Sequence, residues 1–147
     1  MSIVGSWLVS HSVGEKPEPL LREHISPLAA EAVAVFTSDG LLTVSVSPIY
    51  PVPNEAISTT QLLVGLAGGS WTVTGEGPIT VRCAAVVRNA RGYSVATFFL
   101  DGTLDLDPAA DTFSGAYTIE PHLKRHWVRN PPNLDGAVQG WRISPAS

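Results

Sequence analysis

The chain has 147 residues, a length that fits one domain with a single hydrophobic core. Nine Lys and Arg against thirteen Asp and Glu give a net charge of -4, and the basic residues are scattered, which argues against a nucleic-acid partner. One cysteine excludes an intramolecular disulfide, and no apolar run approaches the roughly 20 residues of a membrane helix. We therefore predict one domain over residues 1–147, with no membrane partner. Because no basic and apolar leader precedes the first strand, we expect a cytoplasmic protein.

Eight segments rich in Val, Thr, Ile and aromatic residues are predicted as β-strands, because Gly and Pro cluster between them. In chain order they span residues 3–13, 31–37, 41–47, 69–74, 79–88, 93–106, 112–120 and 136–143. One helical signal lies in the first long connection, where apolar residues recur at near-helical spacing until Pro27 interrupts them. We predict a short helical turn near residues 19–30.

The connections between these strands are short or long, and the pattern has one exception, the short hairpin over residues 89–92 at the end with the long loops. Residues 37–40, 74–78 and 106–111 are short and rich in Gly, Pro and Asp, as tight hairpins require, whereas residues 14–30, 48–68 and 121–135 are long. Antiparallel strands in sequential order place the three short turns at one end and the three long loops at the other. The pattern predicts an all-β fold, an eight-stranded antiparallel up-and-down β-barrel with long loops at its open end.

Two short motifs at the ends of the chain resemble a known family. Gly5-Ser6-Trp7 opens the first strand, and Gly140-Trp141-Arg142 lies in the last one. This combination resembles the lipocalin and calycin signature of small β-barrels. The resemblance implies a structural floor in which Trp7 closes the barrel and Arg142 lies across its indole, an arrangement that cation-π attraction favours. It also implies a cavity that binds a small hydrophobic ligand.

Side chains that alternate along a strand share a face, which predicts the lumen lining. If Trp7 points inward, so do Val9 and His11, and the residue 79–88 strand directs its Ile, Val and Cys set inward. An outward Phe99, together with Val33 and Val35, suggests a patch for a homodimer. The candidate ligand-binding residues are Val9, Phe36, Trp71, Val81, Cys83 and Phe98 in strands, and His24, Tyr50 and Trp127 in long loops.

Three residues are candidates for catalysis. His11 could transfer a proton, Tyr117 could donate a hydrogen bond to a ligand carbonyl, and His126 lies in the basic and aromatic loop over residues 122–133. Each has a structural alternative: His11 bonded to a neighbouring loop, Tyr117 anchoring its own strand, and the loop as a solvated rim. Cys83 fits a buried apolar residue better than a nucleophile. No spacing fixes the loop histidines together, so we predict no metal and no cofactor.

Hydrolase, nucleotide and zinc-enzyme motifs are missing from the sequence. Three functions remain, and each takes an apolar small molecule or a protein as its partner. The first is a cofactor-independent cyclase or isomerase that acts on a natural product of polyketide or terpenoid type. The second is a non-catalytic intracellular carrier of a hydrophobic metabolite, and the third is a dimerising interaction module with a filled barrel. Fold alone does not choose among them.

Overall fold

The computed structural model describes residues 2–13, 30–45, 49–50, 62–73, 75–89, 91–124 and 133–144. These residues form nine β-strands. They are β1 (Gly5–Val13), β2 (Ala30–Phe36), β3 (Leu41–Ser45), β4 (Ile49–Tyr50), β5 (Leu62–Val73), β6 (Ile79–Asn89), β7 (Ser94–Asp107), β8 (Thr112–Leu123) and β9 (Leu134–Arg142). The predicted helical turn near residues 19–30 falls outside the described residues, except for Ala30, which begins β2.

The strands close into a barrel. The hydrogen-bonded order is β3-β2-β1-β9-β8-β7-β6-β5, all neighbours are antiparallel, and pairing of β3 with β5 joins the two ends. The short strand β4 pairs only with the start of β5 and lies outside this ring of eight. The predicted eight-stranded antiparallel up-and-down barrel is therefore confirmed, and closure leaves the eight strands without a long free edge.

Two strands are longer than the sequence pattern predicts. β5 begins at Leu62 instead of residue 69, and β8 continues to Leu123 instead of residue 120. The early part of β5 contains Gly65 and is offset from β6 by an irregular register between Val64 and Ala67, so its alternation is broken and the segment reads as loop. The predicted loop over residues 48–68 thus contains β4 and the first half of β5.

The three short turns lie at one end of the barrel, as predicted, and each uses a residue that tolerates the left-handed backbone region. Gly40 has φ of 89° between β2 and β3, Gly75 has φ of 61° between β5 and β6, and Asp111 has φ of 57° between β7 and β8. The backbone nitrogen of Trp71 donates to the carbonyl of Gly40 at 3.0 Å, which ties the first of these turns to β5. This end is the floor.

Alternation along the strands separates the core from the outer surface. On β6 the inward residues Ile79, Val81, Cys83, Ala85 and Val87 are all buried, as predicted. On β1, Trp7 and Val9 are buried while Leu8 between them is exposed. Inward and outward sets are therefore fixed by the two-residue period of the pleat.

One detail of the predicted outer surface is wrong. Phe99 does point outward, but it does not share a patch with Val33 and Val35. Four strand steps separate β7 from β2 in either direction around the ring, so these residues lie on opposite sides of the barrel.

Candidate functional site

The eight strands of the ring surround a lumen that their described side chains do not fill. Its volume is about 120 Å³, and all eight strands of the ring contribute to its wall. The lining residues are Val9, His11, Ala32, Ala34, Phe36, Leu42, Val44, Ala67, Val81, Cys83, Leu100, Gly102, Leu104, Phe113, Tyr117, Ile119 and Val138. No charged side chain occurs among these described lining residues. The lumen is thus an apolar site with a few neutral polar groups.

Aromatic rings close the floor of the lumen. Trp7 is fully buried, and its indole nitrogen donates to the carbonyl of Ile3 at 2.8 Å. The ring of Phe113 lies 5.0 Å from the Trp7 ring and 6.2 Å from that of Phe36, measured between centroids. Phe113 reaches this position because Gly140 opposite it on β9 has no side chain, and a Cβ there would lie 2.3 Å from the Phe113 ring. These rings seal one end of the cavity.

Arg142 covers Trp7 from below and ties three segments together. Its guanidinium carbon lies 4.3 Å from the centre of the Trp7 ring. Its Nη1 donates to the Val4 carbonyl at 2.8 Å, its Nη2 to the Ser2 carbonyl at 2.7 Å, and its Nε to the carboxylate of Asp111 at 2.6 Å. Each of the three guanidinium nitrogens donates a hydrogen bond in the floor, so this residue has a structural role.

A polar pair interrupts the apolar wall above the floor. The hydroxyl oxygen of Tyr117 lies 3.4 Å from Nδ1 of His11, with the two rings edge to face. The Nε2 atom of His11 is buried and has no hydrogen-bond partner among the described residues. Burial lowers the pKa of the His11 imidazole, because desolvation disfavours its charged form. His11 is therefore a neutral imidazole at pH 7.

Cys83 contributes a thiol to the same lumen. Burial, aided by the negative charge of Asp101, raises the pKa of this thiol to about 11. A thiol rather than a thiolate is present at pH 7, and the thiolate is the nucleophilic form. The residue therefore acts as a small apolar wall residue, consistent with its structural interpretation.

Comparisons with protein-family models, with curated proteins and with solved structures gave no match.

The geometry brings together most of the residues that the sequence singled out within strands. His11 and Tyr117 meet in the lumen although 106 positions separate them, and Val9, Phe36, Val81 and Cys83 line the same cavity. Gly5, Trp7 and Arg142 meet at the floor, where Gly5 lies so close to Arg142 that a Cβ would be 2.8 Å from Nη1.

Two other strand candidates lie outside the lumen wall. Trp71 packs edge to face against Phe36 with centroids 6.3 Å apart, and its indole nitrogen donates to the Thr37 carbonyl at 2.9 Å. Trp71 therefore packs behind Phe36, outside the layer of side chains that lines the lumen. Phe98 packs against the core without lining the cavity.

The loop candidates have no described side chains. Tyr50 forms part of β4 through its backbone, and nothing further is described of it. His24, His126 and Trp127 lie outside the described residues, so their predicted roles stay predictions. The described residues contain no cluster of three or more metal-ligating side chains. No helix in the described segments has the length and apolar character that a membrane crossing requires.

Sequence reasoning predicted Phe36 but missed the other lining residues of β2 and the lining that β3 and β9 provide. On β2 the small residues Ala32 and Ala34 face the lumen, while Val33 and Val35 face outward with 41% and 37% exposure. Apart from Glu31 at its start, this strand is apolar on both faces, so hydrophobicity alone is a weak signal of which face is inside. The parity of β1 could have given a stronger one, because Val9 is paired with Ala32 and Trp7 with Ala34, and paired residues share a face. Small inward residues on β2 leave room for the cavity.

Proposed function

We propose that this protein binds an uncharged, largely apolar small molecule in the lumen of its barrel. The observation that carries the proposal is the unfilled volume of about 120 Å³, enclosed by eight strands and lined by apolar atoms. Core side chains normally pack with few voids larger than a water molecule, so an open space of this size is unusual for a merely structural core. The open volume favours a ligand site over an interaction module with a filled barrel.

The side chains that line the lumen are uncharged, and this limits which kinds of ligand it can bind. His11 and Cys83 line the lumen, and burial shifts the pKa of each in the direction that favours its neutral form at pH 7. A carboxylate or ammonium group in this lumen would lose its hydration without gaining an opposite charge, at a cost of several kcal/mol. The site therefore selects uncharged compounds.

The volume of the lumen limits the size of the ligand that it can hold. An engineered apolar cavity of about 150 Å³ accommodates benzene, so a lumen of about 120 Å³ suits a single ring or a short branched chain. This size favours a small terpenoid-like compound over an extended polyketide. The stack of Arg142 on Trp7 supports a relation to lipocalin-like barrels, which bind hydrophobic ligands above a similar floor.

The binding proposal is tested with three single-ring probes, toluene, cyclohexanone and benzoate, by ligand-observed NMR and calorimetry. Toluene and cyclohexanone bind, whereas the benzoate anion does not. The variant Ala34→Leu places extra carbon atoms in the lumen and abolishes binding, and Ala84→Leu makes the same change on the exposed face of β6 and leaves binding intact. The binding proposal is wrong if neither toluene nor cyclohexanone binds, or if Ala34→Leu and Ala84→Leu bind these probes equally.

The contact between His11 and Tyr117 favours a second candidate, a cofactor-independent isomerase or cyclase. With the Nδ1 proton directed to the Tyr117 oxygen, the Nε2 atom of His11 carries a lone pair, and it can act as a base once the side chain turns this buried atom towards the ligand. The simplest reaction of this kind is enolisation of a ketone. The bond between the α-carbon and its hydrogen breaks, the proton passes to Nε2, the enolate oxygen accepts a hydrogen bond from the Tyr117 hydroxyl, and a proton then returns to carbon.

Deuterium exchange separates this enzyme from a carrier. Wild-type protein in D₂O accelerates exchange of the hydrogens next to the carbonyl of cyclohexanone, as followed by NMR. His11→Phe keeps a ring of similar volume, retains toluene binding and loses the acceleration. If exchange is the same with wild type and His11→Phe, the protein is a carrier and the catalytic proposal is wrong.

A further inference from the structure

His11 is the residue of the lumen wall that can take up a proton near neutral pH. The other titratable side chains among the described lining residues are Cys83 and Tyr117. A thiol and a phenol are neutral in acid and lose a proton only at higher pH, whereas an unperturbed imidazole gains its charge below about pH 6.5. Acidification therefore introduces a single positive charge into the described wall, at His11.

The described lumen wall contains no carboxylate that could pair with a protonated His11. The acidic residues of the strands that flank or face His11 are Glu31 on β2, Asp135 on β9 and Glu120 on β8. Each of them is next to a residue of the inner face, so the pleat puts its position on the outer face of its strand. Asp135 accepts a hydrogen bond from Thr118 at 2.8 Å, and the Glu120 carboxylate lies 3.2 Å from Nε2 of His122.

The one basic residue on the strands beside His11 lies in the floor. Arg142, on β9, stacks on Trp7 and is paired with Asp111, so its charge is already balanced there. A proton on His11 therefore has neither a counter-charge nor a competing cation in the described lumen wall.

The hydrogen bonds of His11 suit its neutral form. A protonated imidazole donates from both ring nitrogens. The Tyr117 oxygen lies 3.4 Å from Nδ1, and the buried Nε2 has no hydrogen-bond partner among the described residues. A charged donor without a partner costs more than a neutral group without one, so the described contacts favour the neutral imidazole.

We propose that a proton on His11 and an apolar ligand compete for the lumen, so that the protein binds its ligand at neutral pH and releases it on acidification. The inference rests on the proposed binding of an uncharged, apolar molecule in this cavity. In the unliganded protein, a lumen of about 120 Å³ has room for several water molecules, which can hydrate a charged wall. An apolar ligand displaces this water and offers the imidazolium neither a hydrogen-bond acceptor nor a counter-charge.

Thermodynamic linkage fixes the sign of the effect. Because the neutral form of His11 binds the ligand more tightly, the affinity is constant above about pH 6.5 and falls as the pH drops through the pKa of His11 in the unliganded protein. Burial lowers that pKa, which places the release on the acidic side of about pH 6.5. By reciprocity the ligand lowers the same pKa, by about one pH unit for each tenfold preference for the neutral form.

Calorimetry with toluene on the full chain, between about pH 7.5 and about pH 4.5, tests the proposal. Toluene has no titratable group, so any pH dependence belongs to the protein. The wild-type affinity falls at least about tenfold over the part of this range in which circular dichroism shows a folded protein. With His11→Phe, the affinity changes by less than about twofold over the same range. His122→Phe is the matched control, since His122 is a half-exposed histidine on the outer face of β8, and this variant keeps the wild-type pH dependence.

An NMR titration of the histidines in the wild type gives the reciprocal measurement and needs no variant. The pKa of His11 is lower with saturating toluene than without it, whereas the titration curve of His122 does not move.

The outcomes separate this inference from the binding proposal. If toluene does not bind at about pH 7.5, the binding proposal is wrong and the inference falls with it. If toluene binds but its affinity is constant over the folded range, or falls equally in wild type and His11→Phe, the inference alone is wrong. A His11 pKa that toluene leaves unchanged overturns it as well.

Discussion

Arg142, in the last strand, holds its guanidinium carbon 4.3 Å from the ring centre of Trp7, in the first. The same side chain donates hydrogen bonds to two carbonyls of the residues that precede β1 and to Asp111 in the β7–β8 turn. The pair therefore joins the amino-terminal segment, the final strand and a floor turn. Because Trp7 also closes the lumen, the stability of the barrel and the shape of its cavity depend on one contact.

Arg142→Ala is expected to lower the free energy of unfolding by about 2 to 4 kcal/mol, since it removes the cation-π contact and three charge-assisted hydrogen bonds of a partly buried group. Urea unfolding followed by tryptophan fluorescence measures the change. Arg82→Ala is the control, because the Arg82 and Asp101 side chains are 66% and 53% exposed and their pair contributes about 1 kcal/mol or less. Similar losses in the two variants would contradict the role given to the floor.

Gly5→Ala is expected to destabilise the protein by about 1 to 3 kcal/mol, because Gly5 has φ of 132° and a Cβ there would lie 2.8 Å from Nη1 of Arg142. Gly68→Ala is the matched change in β5, where a Cβ would meet no atom within 4 Å. The second variant should differ from wild type by no more than about 1 kcal/mol in either direction. Thermal and urea unfolding of both proteins checks the difference.

The stability of the protein should fall as the pH drops below about 6.5, partly through His11. Burial lowers the pKa of the folded-state imidazole, so the unfolded chain takes up this proton at a higher pH than the folded chain does. The contribution of neutral His11 is therefore complete above about pH 6.5 and is lost as the pH falls towards the folded-state pKa.

Unfolding free energies at about pH 7.5 and about pH 5.5 isolate this contribution when wild type is compared with His11→Phe. The variant should lose less stability on acidification than the wild type. Tyr117→Phe retains the imidazole and should keep the wild-type direction of the pH dependence. A wild type and a His11→Phe variant with the same pH dependence would show that His11 is not desolvated in the folded protein.

Cys83 should be unreactive in the native protein. With the thiol pKa at about 11, the thiolate fraction at pH 8 is about a hundredfold or more below that of a free cysteine, so alkylation by iodoacetamide should slow by at least that factor. Mass spectrometry of the single cysteine follows the reaction, and protein unfolded in urea gives the reference rate. Native-state alkylation at the unfolded rate would be incompatible with a buried thiol in the lumen wall.

Much of the barrel was determined by local pattern. The turns that contain Gly40, Gly75 and Asp111, the alternation on β6, and the Trp7 and Arg142 motifs all point to the observed arrangement, because hairpin chemistry and the pleat act over a few residues. The local sequence pattern gave a wrong or incomplete prediction on two strands. The irregular start of β5 was predicted as a loop, and the pattern on β2, which has apolar residues on both faces, did not show that its alanines face inward.

What the sequence by itself determined was which residues of a strand share a face, since that depends only on the two-residue period of the pleat. Only the tertiary structure decided which face of β2 is inside, because the register of β2 against β1 and the closure of β3 on β5 set its inward direction. The same long-range pairings bring His11 to Tyr117 and leave Val33 beside Leu8 on the outer surface. The lumen and its volume are consequences of closure, which no single segment of the chain encodes.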